Sequence, residues 1–284
     1  MQCSTCNEKA VITHPARCKT CFIHGFEERV WNTIERFSLI RPEERICVAA
    51  SGGKDSLALL EILHTRYDVH ALCVDEGIAG YRDQTIDDLK TFCEQRSIPL
   101  KLVSFADLGA QRLDAQNPDH PCSVCGVLRR KALMDYSQGY DVIATGHNLD
   151  DEAQSILMNL LRNQTHLLER LGPRTPAQEG IAARIKPFYT TPEREVRAYC
   201  LLKGITTNFS ECPNVVKSFR WKVGEALNDM EVGRPGAKLA IVENFLKKYY
   251  RPQQAIASSQ TCTRCAGPSS HELCRACRLI VVNN

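Results

Sequence analysis

One stretch constrains this chain more than any other: Ile46-Cys47-Val48-Ala49-Ala50 running into Ser51-Gly52-Gly53-Lys54-Asp55-Ser56. The apolar run ends at a glycine pair. Leu57-Ala58-Leu59-Leu60-Glu61-Ile62-Leu63 then follows with the apolar density of a buried helix. The order reads as strand, tight turn, helix. Glycine lets the turn take positive φ and lets backbone approach a ligand closely. The helix start aims free N–H groups and a partial positive charge at that ligand, which suits a phosphate or pyrophosphate. A Walker loop is excluded, because Val48 and Asp55 stand where that pattern needs Gly and Ser or Thr. An acidic residue inside the loop instead suggests magnesium bridging carboxylate and phosphates.

A strand–helix alternation surrounds the turn. The spacing predicts strands at 46–50, 69–74, 100–105, 141–145, a short one at 183–187 and a last one at 205–209. Helices are expected at 26–39, 56–65, 82–96, 125–137, 150–162 and 192–203. Such alternation implies an α/β fold, a parallel sheet with helices on both faces. Ligands of such sheets sit outside the strand C-termini. The glycine loop, Asp75 and Gly146 all fall at predicted strand C-termini, which points to one nucleotide site. From 213 to 250 the chain reads as helical and basic, broken at Gly233-Arg234-Pro235-Gly236, and 251–261 reads as a linker. Residues 215–284 carry eleven Lys/Arg against five Asp/Glu, a mild sign of a polyanionic partner.

Ten of the fifteen cysteines fall in five C-x-x-C pairs. No apolar run reaches membrane-spanning length, and the Met1-Gln2-Cys3-Ser4 start lacks a secretory signal pattern. The expected setting is a reducing cytoplasm, where paired cysteines bind metal rather than form disulfides. Cys3-x-x-Cys6 with Cys18-x-x-Cys21 makes one tetrahedral thiolate set, and Cys262-x-x-Cys265 with Cys274-x-x-Cys277 makes another. Each is read as a structural zinc module, since segments this short bury too little apolar surface to fold without metal. Four units result: 1–25, an N-terminal zinc module; 26–212, the nucleotide-binding domain; 213–255, a basic helical region; 256–284, a C-terminal zinc module.

Cys122-x-x-Cys125 has no neighbouring pair. Its best distant partner is Cys212, in Glu211-Cys212-Pro213. Three converging thiolates can hold a [4Fe–4S] cluster with one iron left open. A persulfide on Cys122 or Cys125 resolved by Cys212, or a purely structural pair, reads equally well from these residues.

The chain resembles the PP-loop tRNA 2-thiolation proteins, the group of wobble-uridine and T-loop 2-thiouridine synthetases. The matching stretches are the paired-cysteine N-terminus, SGGKDS (51–56), VDEGI (74–78), CSVCGVLRR (122–130), ATGHNLDDEAQS (144–155), ECP (211–213), RPGAK (234–238) and the C-terminal CTRC…CRAC. The resemblance implies an adenine nucleotide alpha-hydrolase-like PP-loop domain that cleaves ATP to AMP and pyrophosphate. It implies adenylation of the C2 oxygen of a tRNA uridine, then replacement of that oxygen by sulfur. By position, Ser51, Gly52, Gly53 and Ser56 would cradle pyrophosphate, Lys54 would add charge, and Asp55 would be the metal-linked catalytic carboxylate. Ala49, Asp75 and Gly146 would line the adenosine site, and Asp151 would contact ATP or magnesium. For Asp150 and Asp151 the competing reading is helix N-capping. The resemblance also favours Cys122, Cys125 and Cys212 as ligands of a [4Fe–4S] cluster. One place departs: the T-loop enzymes carry a lysine where this chain has Arg129, which can grip phosphate but cannot serve as a base. The GVLRR run is closer to the wobble-uridine proteins.

Partners implied are tRNA, a sulfur donor (sulfide or a ubiquitin-like protein thiocarboxylate) and a second copy of the chain. Lys217, Arg220, Lys222, Lys247, Lys248 and Arg251 are candidate phosphate contacts, each also readable as plain surface. Two other functions compete. A PP-loop amidotransferase or ligase acting on a small molecule leaves the metal modules and the Cys122/Cys125/Cys212 set unexplained. A non-catalytic nucleic-acid-binding zinc protein leaves the intact SGGKDS unexplained.

Overall fold

The computed structural model describes residues 1–116, 118–177, 181–207, 209, 211–252 and 260–282. In chain order the elements that position the site are α1 (Lys19–Arg36), β1 (Ile46–Ala49), α2 (Lys54–Leu63), β2 (Val69–Asp75), α3 (Arg82–Gln95), β3 (Leu100–Ser104), α4 (Pro121–Tyr136), β4 (Val142–Thr145), α5 (Leu149–Leu161), β5 (Arg174–Thr175), β6 (Ala183–Ile185), α6 (Glu193–Lys203), α7 (Phe219–Gly233), α8 (Ala237–Lys248) and α9 (Arg275–Val282). The sheet runs β3-β2-β1-β4-β6-β5. All pairs are parallel except the terminal β5–β6 hairpin. Val48 sits at the centre, opposite Ala71 on one side and Ala144 on the other. The chain leaves β1 for β2 and β3, then returns to β1's other flank with β4. The order therefore reverses at the C-terminal ends of β1 and β4, the place where such sheets bind ligands.

Alternation along the strands divides the core. Val48, Ala71, Cys73 and Ala144 face α1, α2, α3 and α6. Cys47, Leu72 and Val74 face α4 and α9. A third cluster joins α5 to α7 and α8 through Leu149, Ile156, Leu227 and Phe245. Phe26 of α1 stacks on Tyr199 of α6 with centroids 4.4 Å apart, and both are fully buried. Phe26→Ala is expected to cost about 3–5 kcal/mol, read as a lower denaturation midpoint at unchanged m-value.

Three sequence expectations change. The first helix starts at Lys19 rather than 26, because the second cysteine pair is itself the helix start: Cys18 is the N-cap and its sulfur accepts the Cys21 N–H at 3.4 Å. The segment Cys18-Lys19-Thr20-Cys21 has no apolar stripe, so periodicity missed it. α1 thus runs without a break across the expected boundary at 25/26.

The strand expected at 205–209 does not form in residues 205–207 or at 209. Gly204 ends α6 at φ +72°, and the Ile205 N–H bonds back to the Cys200 carbonyl. Thr207 Oγ1 then donates to the Gly52 carbonyl at 3.1 Å. The β-branched run mimicked a strand, but β6 already occupies the free edge of β4. Cys212 accordingly sits on a crossing segment, not at a strand end. The Cys122/Cys125 helix also starts earlier than 125, at Pro121, so both cysteines lie in its opening turns.

The break at 234–236 separates α7 from α8. Of the expected linker, 253–259 lie outside the described residues. The C-terminal module docks on α4 through Ile280 and Leu279.

Candidate active site

The loop after β1 is built as its residues require. Gly52 takes φ +80°, and a β-carbon there would lie 1.8 Å from the Thr85 carbonyl oxygen, so no other residue fits. Gly53 is the N-cap of α2, leaving the first-turn N–H groups without a side-chain cap. Ser56 Oγ donates to the Gly53 carbonyl and accepts the Ser51 N–H at 3.1 Å, closing the loop on itself. Gly146, just beyond β4, lets that strand end approach α2: a β-carbon there would lie 2.9 Å from the Asp55 carbonyl carbon.

Charge concentrates at the α2 start. Lys54 Nζ bridges Asp55 Oδ2 at 2.9 Å and Glu193 Oε1 at 2.7 Å. Burial works to lower the Lys54 pKa, but these two carboxylates outweigh it and hold it above its usual value. Burial raises the Asp55 pKa, with Lys54 opposing. Asn148 Nδ2 donates to Asp55 Oδ1 at 3.1 Å.

Asn148 also caps α5, its side chain accepting from the Asp150 and Asp151 N–H groups, while Asp151 accepts the Asn148 N–H in return. Capping therefore accounts for Asp151's first role, and Arg220 Nη1 stands 3.4 Å from its Oδ1. Asp150 does something else: it accepts the Glu193 N–H at 2.8 Å and an ion pair from Lys238 of α8. His147 has its pKa pulled down to about 4 by desolvation and by Lys186, Arg220 and Arg129, against Asp151, so the ring is neutral at physiological pH.

Ser51, Lys54, Asp55 and Asp151 open into a cavity of about 850 Å³ that also reaches Cys212 and Lys238. Ala49, Asp75 and Gly146 lie at the sheet edge beneath the loop and are not among that cavity's walls. Asp75 Oδ1 is engaged by the Gly77 N–H at 2.8 Å. Arg129 is half exposed and faces Glu76 at 3.6 Å.

The third cysteine group converges. Cys122 Sγ donates to the Asn214 carbonyl at 3.4 Å, two residues beyond Cys212. Cys125 and Cys212 border the same core cluster. Burial, then Glu76, pushes the Cys125 thiol up to about 12, and burial also raises Cys212. The two terminal sets are tighter: in each, all four sulfurs lie within 4.8 Å of one another, the compactness one tetrahedral ion needs. Cys122, Cys125 and Cys212 do not form so tight a set. Wider spacing suits ligands that bind different metal atoms of a cluster.

The pairings of six residues escaped the sequence reading. Asn148 was signalled by its Asn-x-x-Asp capping pattern. Glu193, Asp150 and Lys238 gave no local signal of their pairing, since these contacts span up to 139 residues. Glu76 and Arg82 form a buried ion pair at 2.7 Å, and Arg82 also donates to the Ser51 and Val74 carbonyls at 2.6 and 2.8 Å. Arg82 therefore braces the phosphate loop, while Glu76 turns toward Arg129 and Cys125. Of the expected tRNA contacts, Arg220 is committed to α5 through Asp151, Gln154 and Ser155. Lys222, Lys247, Lys248 and Arg251 are exposed; the Lys217 side chain lies outside the description.

Residues 24–212 match the PP-loop domain family. The chain is 37% identical to the tRNA-5-methyluridine(54) 2-sulfurtransferase of Thermus thermophilus, covering 98% of this chain and 91% of that protein. It is 36% identical to the cytoplasmic tRNA 2-thiolation protein 1 of Xenopus laevis, covering 99% and 87%. The solved U34-tRNA thiolase NcsA of Methanococcus maripaludis, with its [4Fe-4S] cluster, superposes with TM-score 0.84 at 34% identity, covering 98% of this chain and 95% of that one. With an uninterrupted PP-loop core and full-length kinship of this kind, the chain belongs to the PP-loop tRNA 2-thiolation family.

Proposed function

We propose that this protein is an ATP-dependent tRNA 2-thiouridine synthetase acting on the wobble uridine. The observation that carries the reading is the single cavity joining the Ser51–Asp55 loop to Cys212. A site that only adenylated a small molecule would not need Cys212 in the wall of the phosphate chamber. The uridine C2 oxygen attacks the α-phosphorus of ATP; an O–P bond forms, and the bond to the β-phosphate oxygen breaks. Lys54 and the α2 N-terminus stabilise the departing pyrophosphate. Asp55, with Asp151 nearby, would hold magnesium against the phosphates. A sulfur nucleophile then attacks C2, the C2–O bond breaks, and AMP leaves. Ala49, Asp75 and Gly146 border the adenosine.

The donor set of Cys122, Cys125 and Cys212 fits a [4Fe–4S] cluster, soft thiolates from the start of α4 and from the segment after α6. When bound, such a cluster supplies an iron without a protein ligand on which sulfur can be held. The terminal four-cysteine sets fit structural zinc. Sulfide or a ubiquitin-like thiocarboxylate is the sulfur source, the working form is a homodimer, and the setting is the cytoplasm. The units 1–25, 26–212, 213–255 and 256–284 serve as metal module, catalytic domain, basic helical wall and second metal module. Wobble rather than T-loop modification rests on CSVCGVLRR, with Arg129 gripping nucleotide rather than moving a proton.

The test is anaerobic purification, an iron–sulfur absorption spectrum, and ATP- and sulfide-dependent thiolation of unmodified tRNA, with the thionucleoside mapped after digestion. The expected product is 2-thiouridine at the wobble position. Full activity without iron would remove the cluster, and adenylation of a small molecule without a tRNA product would overturn the synthetase reading.

A further inference from the structure

A group of arginines lies on the α4 side of the sheet, and the loop-and-cysteine chemistry does not use it. Arg130 lies on α4, Arg184 on β6 and Arg275 at the start of α9. The sheet register places Arg184 on α4's side. It pairs with Ile143, which pairs with Cys47, and Cys47 belongs to the core under α4. Ile185 next to it belongs to the opposite core. Arg130 folds back along its own helix, with Nη1 3.4 Å from where a Gly126 β-carbon would stand. Arg275 Nη2 donates to Ser123 Oγ at 2.8 Å, so the C-terminal metal module delivers a guanidinium to the first turn of α4. The turn these two flank is the one carrying Cys122 and Cys125.

No carboxylate among the described residues pairs with Arg130, Arg184 or Arg275; neighbouring Arg129 alone has Glu76, at 3.6 Å. All three are exposed. Desolvation nevertheless lowers the pKa of Arg130 and of Arg184, and Arg184, Arg129 and Arg275 lower Arg130 further. Exposed guanidiniums of one sign, with Arg130 acted on by both Arg184 and Arg275, describe a cationic surface. The N-terminus of α4 adds its own partial charge. Three arginines brought together from distant parts of the chain repel one another unless an anion completes the set.

We propose that Arg130, Arg184 and Arg275 form a phosphate-gripping rim that holds the sugar–phosphate backbone of the RNA beside the exposed Cys122. The proposal rests on the tRNA reading above and names where the RNA is held. Arginine forks match phosphate oxygens bidentately and position a nucleic acid without reading its bases. The rim would fix the strand on either side of the target nucleotide while leaving base choice to the cavity.

The test uses the full-length, metal-loaded protein and unmodified tRNA, with affinity measured against salt concentration. Arg130→Gln, Arg184→Gln and Arg275→Gln are each expected to lower the slope of log affinity against log salt by about 1. Arg130→Lys is expected to retain the slope, because it retains the charge. Zinc and iron content, and nucleotide affinity, should stay at wild-type levels in all four. The rim is overturned if the wild type binds tRNA and the three Gln variants keep its affinity and salt slope. A wild type that binds no RNA overturns the rim together with the tRNA reading.

Discussion

Asp55→Ala is expected to lower turnover by at least about 10²–10³-fold, the scale for removing one preorganised electrostatic group from a transition state. Asp55 opens α2, with one oxygen on Lys54 and the other on Asn148. Burial pushes its pKa up while Lys54 resists, so its charge depends on a cationic neighbour. Substitution removes the carboxylate proposed for magnesium and frees Lys54 to pair with Glu193 alone. Asp55→Asn keeps the size and one acceptor, and should be nearly as inactive, because charge is the missing quantity. Zinc content and the melting temperature should hold in both variants. Pyrophosphate release at wild-type rate in Asp55→Ala would remove the residue from the mechanism.

The second large effect is on stability. Lys238 and Asp150 are each only 8% exposed and form an ion pair between α8 and α5. Lys238 also donates to Asn228 at 2.5 Å. Removing one member of a buried pair strands the other, at a cost of about 3–5 kcal/mol. Lys238→Ala should therefore lower the melting temperature by roughly 10 °C. Lys238→Met, which restores the stem but not the charge, should be nearly as destabilised. The double variant Lys238→Met/Asp150→Asn should recover part of the loss, since neither partner is then an unpaired ion. An unchanged melting temperature in Lys238→Ala would mean that α8 is held by its apolar face alone. Because Asp150 also receives the Glu193 N–H, the single variant should raise the KM for ATP as well.

The parallel sheet and the phosphate turn could be read from residues that act locally. Val48 and its neighbours alternate between two buried faces, and Gly52 has a conformation and a clearance that only glycine meets. The two terminal four-cysteine sets were legible for the same reason, since spacing alone closes them. Ile205-Thr206-Thr207 misled because β-branched residues favour extended backbone wherever it goes, and here it crosses the phosphate loop instead of joining the sheet. The second cysteine pair misled because a helix that starts on a Cys-x-x-Cys knuckle needs no apolar stripe in its first turn. Glu193, Lys238 and the Arg82–Glu76 pair were invisible, because charged residues far apart in a chain carry no mark of which partner folding will bring them. The arginines at α4 show the same limit, since Arg275 belongs to a basic stretch that could be counted but not located, and Arg130 and Arg184 lie far from it in the chain.

Arg82 bears on the lifetime of what the site makes. Its buried guanidinium touches the Ser51 carbonyl, the Val74 carbonyl and Glu76, and Glu76 faces the helix of Cys125. Such a strut ties the phosphate loop to the end of β2 and, through Glu76, to the helix that carries Cys125. An adenylated uridine is an activated species that water destroys. Holding its attacker in the same cavity replaces a diffusive search with a high effective concentration. Arg82 is therefore expected to shorten the interval between activation and capture, in which hydrolysis can intervene.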